Sequence, residues 1–148
     1  MTESESTLVL AADVRESLLA HAREGARESP PAEVCGVLVG ERTEGGPDRV
    51  RSTRRVSNVA DRPRTAYELD PTETVSTIEA VEAAGADVVG FYHSHPESRA
   101  RPSATDRARA TWTDYVYLVV GLGPDDPEIR AWRWTGSTFD PLTLRVED

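Results

Sequence analysis

The apolar positions of the chain fall into two kinds of segment: short continuous runs, and stretches with apolar residues three or four positions apart. The short runs are typical of buried strands. They predict strands at residues 7–10, 34–39, 50–56, 87–92, 115–122 and 129–134, and a last edge element at 139–146. The strand at 50–56 is polar on one face, which favours a position near an edge of the sheet.

The helical stretches begin at residues that are favoured at helix N-termini. Asp13 and Glu16 have the spacing of a capping box, and the helix that follows should end near Glu28. Asp70 is followed by a proline at the first helical position, which predicts the start of a second helix. The predicted buried stripe of that helix consists of Val75, Ile78 and Val81. Strands and helices in this order predict an α/β fold, a mixed sheet with helices packed against it.

A pair of histidines follows the fourth apolar run. His93 and His95 are two residues apart, so an extended chain would present both imidazoles on one face. Pro96 then ends regular pairing, and ten residues separate His95 from Asp106, enough for the chain to turn back. Two imidazoles and one carboxylate suit zinc and leave a fourth position for water. The segment from Ser103 to Asp106 equally fits the start of a short helix with Ser103 as its cap.

Three segments together resemble one protein family. They are His93-Ser94-His95-Pro96, then Ser103-Ala104-Thr105-Asp106 six residues later, and Pro31-Ala32-Glu33-Val34-Cys35-Gly36 near the start. This pattern resembles the JAMM (MPN+) metalloproteases, whose signature is a distant glutamate followed by HxHP and SxxD. The resemblance extends over about residues 7–135 and implies a single JAMM/MPN+ domain over residues 1–148. The implied fold is α/β, a curved mixed β-sheet flanked by helices, similar to that of cytidine deaminases.

The resemblance also implies a set of residue roles. His93, His95 and Asp106 would hold one Zn²⁺ ion, Glu33 would be the general base, and Ser103 would stabilise the oxyanion. A carboxylate at the edge of a buried sheet has a basicity that burial can raise. From its position alone, without the resemblance, Glu33 would be assigned as a surface charge.

Members of this family hydrolyse the peptide or isopeptide bond after the C-terminal glycine of ubiquitin or a ubiquitin-like protein. Ubiquitin-selective members carry two insertions that flank the signature. This chain is compact at both places, between Gly85 and His93 and between Asp106 and Tyr115. It therefore resembles a minimal archaeal or other prokaryotic member, a desampylase-like zinc isopeptidase acting on a ubiquitin-like modifier with a di-glycine C-terminus. Two alternatives stay open: the same hydrolysis on a sulfur-carrier protein bearing a C-terminal amino acid or extension, and a non-catalytic MPN scaffold domain.

Four further residues lie near these segments. Asn58 and Tyr67 occupy an irregular polar stretch, and are either substrate-side residues or parts of a solvated loop. Cys35 lies in an apolar strand and is predicted to be a packed, inert thiol rather than a nucleophile. Ser94 should face away from the metal, and no chemical role is predicted for it.

Charge and composition narrow the classes of partner and location. The formal net charge is −9 and all 17 basic residues are arginine, so nucleic-acid binding is not expected. An acidic, lysine-free surface resembles proteins from a salt-rich cytoplasm, although a GC-rich genome would give the same bias. The acidic, polar residues 1–6, the shortness of every apolar run and the single cysteine predict a cytoplasmic protein without membrane association.

Overall fold

In the computed structural model, which describes residues 4–148, seven strands form a closed and curved sheet. Residues 1–3 of the polar N-terminus lie outside the described part. The elements are β1 (Thr7–Ala11), α1 (Ala12–Ala26), β2 (Cys35–Glu41), β3 (Asp48–Val56), α2 (Pro71–Ala83), β4 (Asp87–His95), α3 (Ala104–Arg109), β5 (Val116–Gly121), β6 (Glu128–Trp134) and β7 (Phe139–Glu147).

Closure of the sheet places every predicted edge strand between two neighbours. The strand order is β1-β3-β2-β4-β5-β6-β7, and β7 pairs in parallel with β1. Parallel pairs also join β1 to β3 and β4 to β5, and the other pairs are antiparallel, so the predicted mixed sheet is confirmed. The predicted edge positions of 50–56 and 139–146 are wrong. β3 lies between β1 and β2, and the curvature of the sheet brings β7 round to β1.

The first helix begins without the predicted capping box. β1 leads directly into α1, and the N-cap residue Ala11 makes no side-chain capping bond. Asp13 therefore lies inside the first turn. Its negative charge interacts favourably with the positive end of the helix dipole, but its side chain does not cap the helix. The helix ends at Ala26, close to the predicted end. No helix within the described residues is both long and apolar enough to span a membrane.

The second helix begins as predicted and packs Ile78 and Val81 of its predicted stripe against the sheet, but not Val75. Asp70 accepts a hydrogen bond from the backbone N–H of Glu73 at 3.0 Å. Thr74 and Val81 are buried, whereas Val75 is 55% exposed, so its predicted burial is wrong. Thr74 occupies the first position of the stripe instead of Val75, and its hydroxyl donates to the Asp70 carbonyl, which allows that side chain to be buried.

The two longer helices pack on opposite faces of the sheet. The apolar cluster that includes α1 contains Leu38 and Tyr92 of the sheet, whereas the cluster that includes α2 contains Val37 and Phe91. Neighbouring residues of β2 and β4 thus belong to different clusters, as the alternation of side chains along a strand requires. This arrangement confirms the expected curved sheet with helices on both sides.

Candidate functional site

The two histidines lie at the carboxyl end of β4, which continues beyond the predicted strand. His93 and His95 pair with Val119 and Gly121 of β5, so both remain in regular extended structure. Their ring centroids are 5.0 Å apart, and the two residues are only 2% and 6% exposed. The imidazoles therefore lie side by side and are shielded from water.

Asp106 reaches the histidines from the first turn of α3. Its Oδ2 atom lies 2.9 Å from Nε2 of His93 and 3.2 Å from Nε2 of His95. The same oxygen accepts a hydrogen bond from the Ser103 backbone N–H at 2.9 Å, while Ser103 Oγ accepts from the Asp106 N–H at 3.0 Å. Helix capping and convergence on the histidines, which the sequence left as alternatives, therefore occur together.

Glu33 joins this group from the segment that leads into β2. It is 5% exposed, so it is not the surface charge that its position alone suggested. One ligand atom from each of Glu33, His93, His95 and Asp106 lies within 4.8 Å of the others. Among residues 4–148, Glu33 Oε1 is the only buried side-chain polar atom without a hydrogen-bond partner. Burial raises the pKa of Glu33 from 4.5 to about 8.

The hydrogen bonds of His95 determine which ring nitrogen faces the group. Its Nδ1 atom lies 2.9 Å from the carbonyl oxygen of Arg99, which can only accept, so Nδ1 carries a proton. In the neutral ring Nε2 is then an acceptor, and it faces the Asp106 oxygen, which is also an acceptor. Two acceptors 3.2 Å apart repel each other unless a proton or a cation lies between them. The geometry therefore favours a proton or a metal cation between these two atoms.

The environment shifts the pKa values of the three converging groups in different directions. Burial lowers the pKa of His93, although its hydrogen bond with Asp106 opposes this effect. Burial also disfavours protonation of His95, but hydrogen bonds with Asp106 and the Arg99 carbonyl outweigh it and raise the pKa. Burial opposes ionisation of Asp106, yet hydrogen bonds with both histidines hold its pKa well below the usual range. An ionised carboxylate beside imidazoles is a donor set that could hold a divalent metal.

Tyr67 packs directly against one of the histidines. Its ring is stacked on His93, with centroids 4.1 Å apart and 17° between the ring planes. Tyr67 also contributes to a groove of about 520 Å³. The other aromatic and apolar residues lining this groove are Leu69, Phe91, Trp112 and Tyr117. The stretch predicted to be an irregular polar loop thus supplies an aromatic wall beside the site, and a substrate-side role for Tyr67 stays a prediction.

Asn58 and Ser94 contact the backbone around Glu33 rather than the centre of the group. Asn58 Nδ2 donates to the Glu33 carbonyl at 2.9 Å. The Ser94 hydroxyl, on the opposite side of β4 from the imidazoles, accepts from the Val34 N–H at 2.9 Å. Sequence reasoning missed both contacts because they depend on which segments meet in the fold. The one available signal was a hydroxyl in the middle of a buried strand, where a polar atom requires a partner.

Cys35 is packed in a buried strand, as predicted. The residue is fully buried, and its Sγ lies 3.5 Å from the Val56 carbonyl oxygen. Burial raises the pKa of the thiol to about 12. A thiol with this pKa stays protonated near neutral pH and does not act as a nucleophile.

Similar proteins are known. Residues 12–135 match the family described as prokaryotic homologs of the JAB domain. A desampylase from Haloferax volcanii is 56% identical over 144 residues, which cover 97% of this chain and 99% of the relative. A CysO-cysteine peptidase from Mycobacterium tuberculosis is 38% identical over 127 residues, which cover 85% of this chain and 82% of the relative.

Solved structures share the fold. The solution structure of a protein from Desulfitobacterium hafniense matches with a TM-score of 0.83 and 27% identity, covering 95% of this chain and 93% of that one. A solution structure from Salinibacter ruber matches with a TM-score of 0.63 and 34% identity, covering 90% and 89%. The family match, the two relatives and the fold agree with the motifs: this chain belongs to the prokaryotic JAB-domain family, the JAMM (MPN+) proteins that its sequence resembles.

Proposed function

We propose that this protein is a zinc-dependent isopeptidase that hydrolyses the bond after the C-terminal glycine of a ubiquitin-like modifier. The observation that carries the proposal is the convergence of Glu33, His93, His95 and Asp106 within 4.8 Å at a buried position. The desampylase from Haloferax volcanii, which matches almost the whole chain, supports this substrate class.

The residues present fit a divalent metal. His93, His95 and Asp106 would hold Zn²⁺, because imidazole nitrogen and carboxylate oxygen are donors that zinc prefers. The Arg99 carbonyl supports the fit, since it keeps the unprotonated nitrogen of His95 turned towards Asp106. When bound, zinc would polarise the scissile carbonyl and lower the pKa of a water molecule to about 7.

Glu33 is assigned the proton transfers. Its Oε1 atom has no hydrogen-bond partner among the described residues, so it is available to accept a proton from the attacking water. Burial keeps the carboxylate basic, with a pKa of about 8, and a neighbouring cation would favour the ionised form that accepts the proton. Glu33 then returns the proton to the leaving amine, so the group ends the cycle in its starting state.

Ser103 can cap its helix and donate to the oxyanion at the same time. A hydroxyl has one donor hydrogen and two acceptor lone pairs. The cap uses Ser103 Oγ only as an acceptor, from the Asp106 N–H. The hydroxyl hydrogen therefore remains available for the oxygen that becomes negative as water adds to the carbonyl.

The aromatic groove offers a path for the substrate tail. It adjoins the site through Tyr67, whose ring is stacked on His93. A di-glycine tail has no side chains, so it can lie extended in a narrow groove where other residues would clash. Tyr67 would then be a substrate-side residue, as the sequence suggested.

A second substrate class has support of its own. The CysO-cysteine peptidase relative supports release of a C-terminal amino acid or extension from a sulfur-carrier protein by the same residues.

A non-catalytic scaffold is the less favoured alternative, because scaffold domains of this family usually lack the ligands that converge here. We also propose that the chain forms one domain, because the seven strands of its described part belong to one closed sheet. We propose a cytoplasmic location, because its single cysteine is a buried free thiol suited to a reducing compartment.

A cleavage assay tests the proposal. An archaeal ubiquitin-like modifier joined through its C-terminal glycine to a lysine side chain, and the same modifier carrying one C-terminal cysteine, are each incubated with the protein at high salt, with and without a chelator. Chelator-sensitive cleavage of the lysine-linked substrate is expected. Cleavage of the cysteine-extended form alone would favour the sulfur-carrier reading, and cleavage of neither would favour a scaffold.

A further inference from the structure

Within residues 4–148, the Glu33 carboxylate is positioned without a hydrogen bond of its own. The residue is 5% exposed, and its Oε1 atom has no partner in this part of the chain. A general base must lie within about 3 Å of the proton that it removes, and a displacement of 1 Å can lower a rate about 100-fold. The position of this carboxylate must therefore be set by the backbone that carries it.

That backbone lies beyond the end of the regular sheet. The pairing between β2 and β4 ends at Cys35 and His93, so Glu33 and Val34 have no ladder partners. Glu33 N–H donates to the Pro63 carbonyl at 2.6 Å. Two further anchors come from side chains, the Asn58 amide and the Ser94 hydroxyl described above, and a fourth comes from the Ser94 backbone N–H.

We propose that Asn58 and Ser94 are positioning residues that place the Glu33 carboxylate against the two histidines. This inference rests on the proposed function, because it assigns the two residues to the reaction in which Glu33 moves protons. Neither side chain touches the reacting atoms, and each acts through the Glu33–Val34 backbone.

Ser94 links Glu33 to the same strand that carries the imidazoles. Ser94 lies between His93 and His95 in the sequence and is fully buried. Its side chain projects from the face of β4 opposite the imidazoles. Its hydroxyl accepts from the Val34 N–H at 2.9 Å, and its N–H donates to the Val34 carbonyl at 3.0 Å. This reciprocal pair fixes the backbone next to Glu33 relative to both imidazoles, so the base and the candidate ligands share one rigid support.

Asn58 links Glu33 to the loop that carries Tyr67. Its amide uses its full hydrogen-bonding capacity: Nδ2 donates to the carbonyls of Glu33 and Ala66, at 2.9 and 3.1 Å. Its Oδ1 accepts from the N–H groups of Ala60 and Glu68, at 3.0 and 2.9 Å. One side chain therefore holds the loop together through its acceptor and one of its donor hydrogens, and ties the loop to Glu33 through the other.

Two substitutions separate this role from a general role in stability. Ser94→Ala removes the acceptor for the Val34 N–H and leaves the backbone ladder of β4 in place. Asn58→Asp keeps the acceptor oxygen that binds the N–H groups of Ala60 and Glu68, and removes the donors to the Glu33 and Ala66 carbonyls. The control is Thr74→Val, which removes a hydroxyl on a buried residue whose only described bond is at the N-terminus of α2, to the carbonyl of the N-cap residue Asp70.

The measurements are kcat and KM for the lysine-linked modifier, Zn²⁺ affinity by competition with a chelator, and thermal unfolding. We expect Ser94→Ala and Asn58→Asp to lower kcat about ten-fold or more, with KM and Zn²⁺ affinity within about two-fold of wild type. Thr74→Val should unfold at a lower temperature with kcat unchanged. In a chain that already carries Glu33→Gln, adding Ser94→Ala should lower kcat no further, because the two changes act through one group.

Wild-type kcat in both variants would overturn the inference while leaving the proposed function intact. A loss of kcat would also overturn the inference if Zn²⁺ affinity fell by the same factor, or if Thr74→Val lost as much kcat. If one variant fails to fold, the other decides the outcome. Wild-type protein that cleaves neither modifier substrate would overturn the proposed function and this inference together.

Discussion

The ring of Tyr67 lies nearly parallel to the imidazole of His93, with 4.1 Å between centroids and 17° between planes. This contact joins the loop before α2 to the end of β4, and it leaves His93 with an aromatic surface on one side and the Asp106 carboxylate, 2.9 Å away, at its Nε2. The imidazole is therefore held in one orientation by packing as well as by a hydrogen bond.

Replacing Tyr67 should show how much this stacking contributes to Zn²⁺ affinity. Tyr67→Phe keeps the ring, and the hydroxyl has no partner among the described residues, so Zn²⁺ affinity should stay near that of wild type. Tyr67→Ala removes a contact worth about 0.5–1.5 kcal/mol, so Zn²⁺ affinity should fall about two- to ten-fold. Chelator competition measures both values, and equal affinities in the two variants would exclude an orienting role for the ring.

Ser103 allows capping and oxyanion stabilisation to be measured separately. Ser103→Asp retains an oxygen that can cap α3 but has no hydrogen to donate, whereas Ser103→Ala loses both functions. We expect both variants to lose about 100- to 1,000-fold in kcat. Only Ser103→Ala should be destabilised, by about 1 kcal/mol in urea unfolding. Retention of activity by Ser103→Asp would show that the hydroxyl hydrogen is not used.

The ionisation of Glu33 should make the metal-free protein less stable at high pH. Its pKa is 4.5 in the unfolded chain and about 8 in the fold, so the folded protein holds a proton that the unfolded chain releases between these values. The stability from this group is therefore fully present below pH 4.5 and is lost as the pH rises through about 8.

The matched variant is Glu33→Gln, which cannot ionise. Without metal, the free energy of unfolding of the variant minus that of wild type should be larger at pH 9 than at pH 5. The increase should be on the order of 3 kcal/mol. Urea unfolding in the presence of chelator measures both proteins at both pH values. A stability difference that does not change with pH would mean that Glu33 titrates as it does in water.

Salt should stabilise the fold, because the net charge of −9 makes the acidic surface repel itself. At about 1 M salt the screening length is about 3 Å, which removes most repulsion between exposed carboxylates. The unfolding temperature should therefore rise from 0.05 M to 2 M KCl. Asp125→Asn with Asp126→Asn, two exposed loop positions, should weaken that dependence. Equal stability at both salt concentrations would contradict this explanation of the acidic composition.

Local patterns in the sequence predicted the parts of the site that depend on neighbouring residues. His93 and His95 share a face because a strand repeats every two residues, and the Ser103–Asp106 spacing produces a capping box because both residues lie in one helical turn. The Asp106 carboxylate meets the histidines because that same helical turn lies beside the end of β4.

Long-range pairing accounts for what could not be predicted. β7 closes the sheet against β1 only because curvature accumulates over seven strands, so no local pattern distinguishes it from an edge strand. The burial of Thr74 rather than Val75 in α2 depends on the hydrogen bond between the Thr74 hydroxyl and the Asp70 carbonyl. The contacts of Asn58 and Ser94 with the Glu33 segment likewise depend on the packing of segments far apart in the chain.

The metal content of the purified protein tests the central claim most directly. Wild type, Asp106→Asn and the surface control Asp126→Asn are saturated with Zn²⁺, passed through metal-free buffer and analysed for zinc per chain. We expect one zinc in wild type and in Asp126→Asn, and a loss of affinity in Asp106→Asn greater than the 10- to 100-fold typical of losing a ligand's hydrogen-bond partner. Folded wild-type protein that retains no zinc, or Asp106→Asn that retains as much as wild type, would contradict the account.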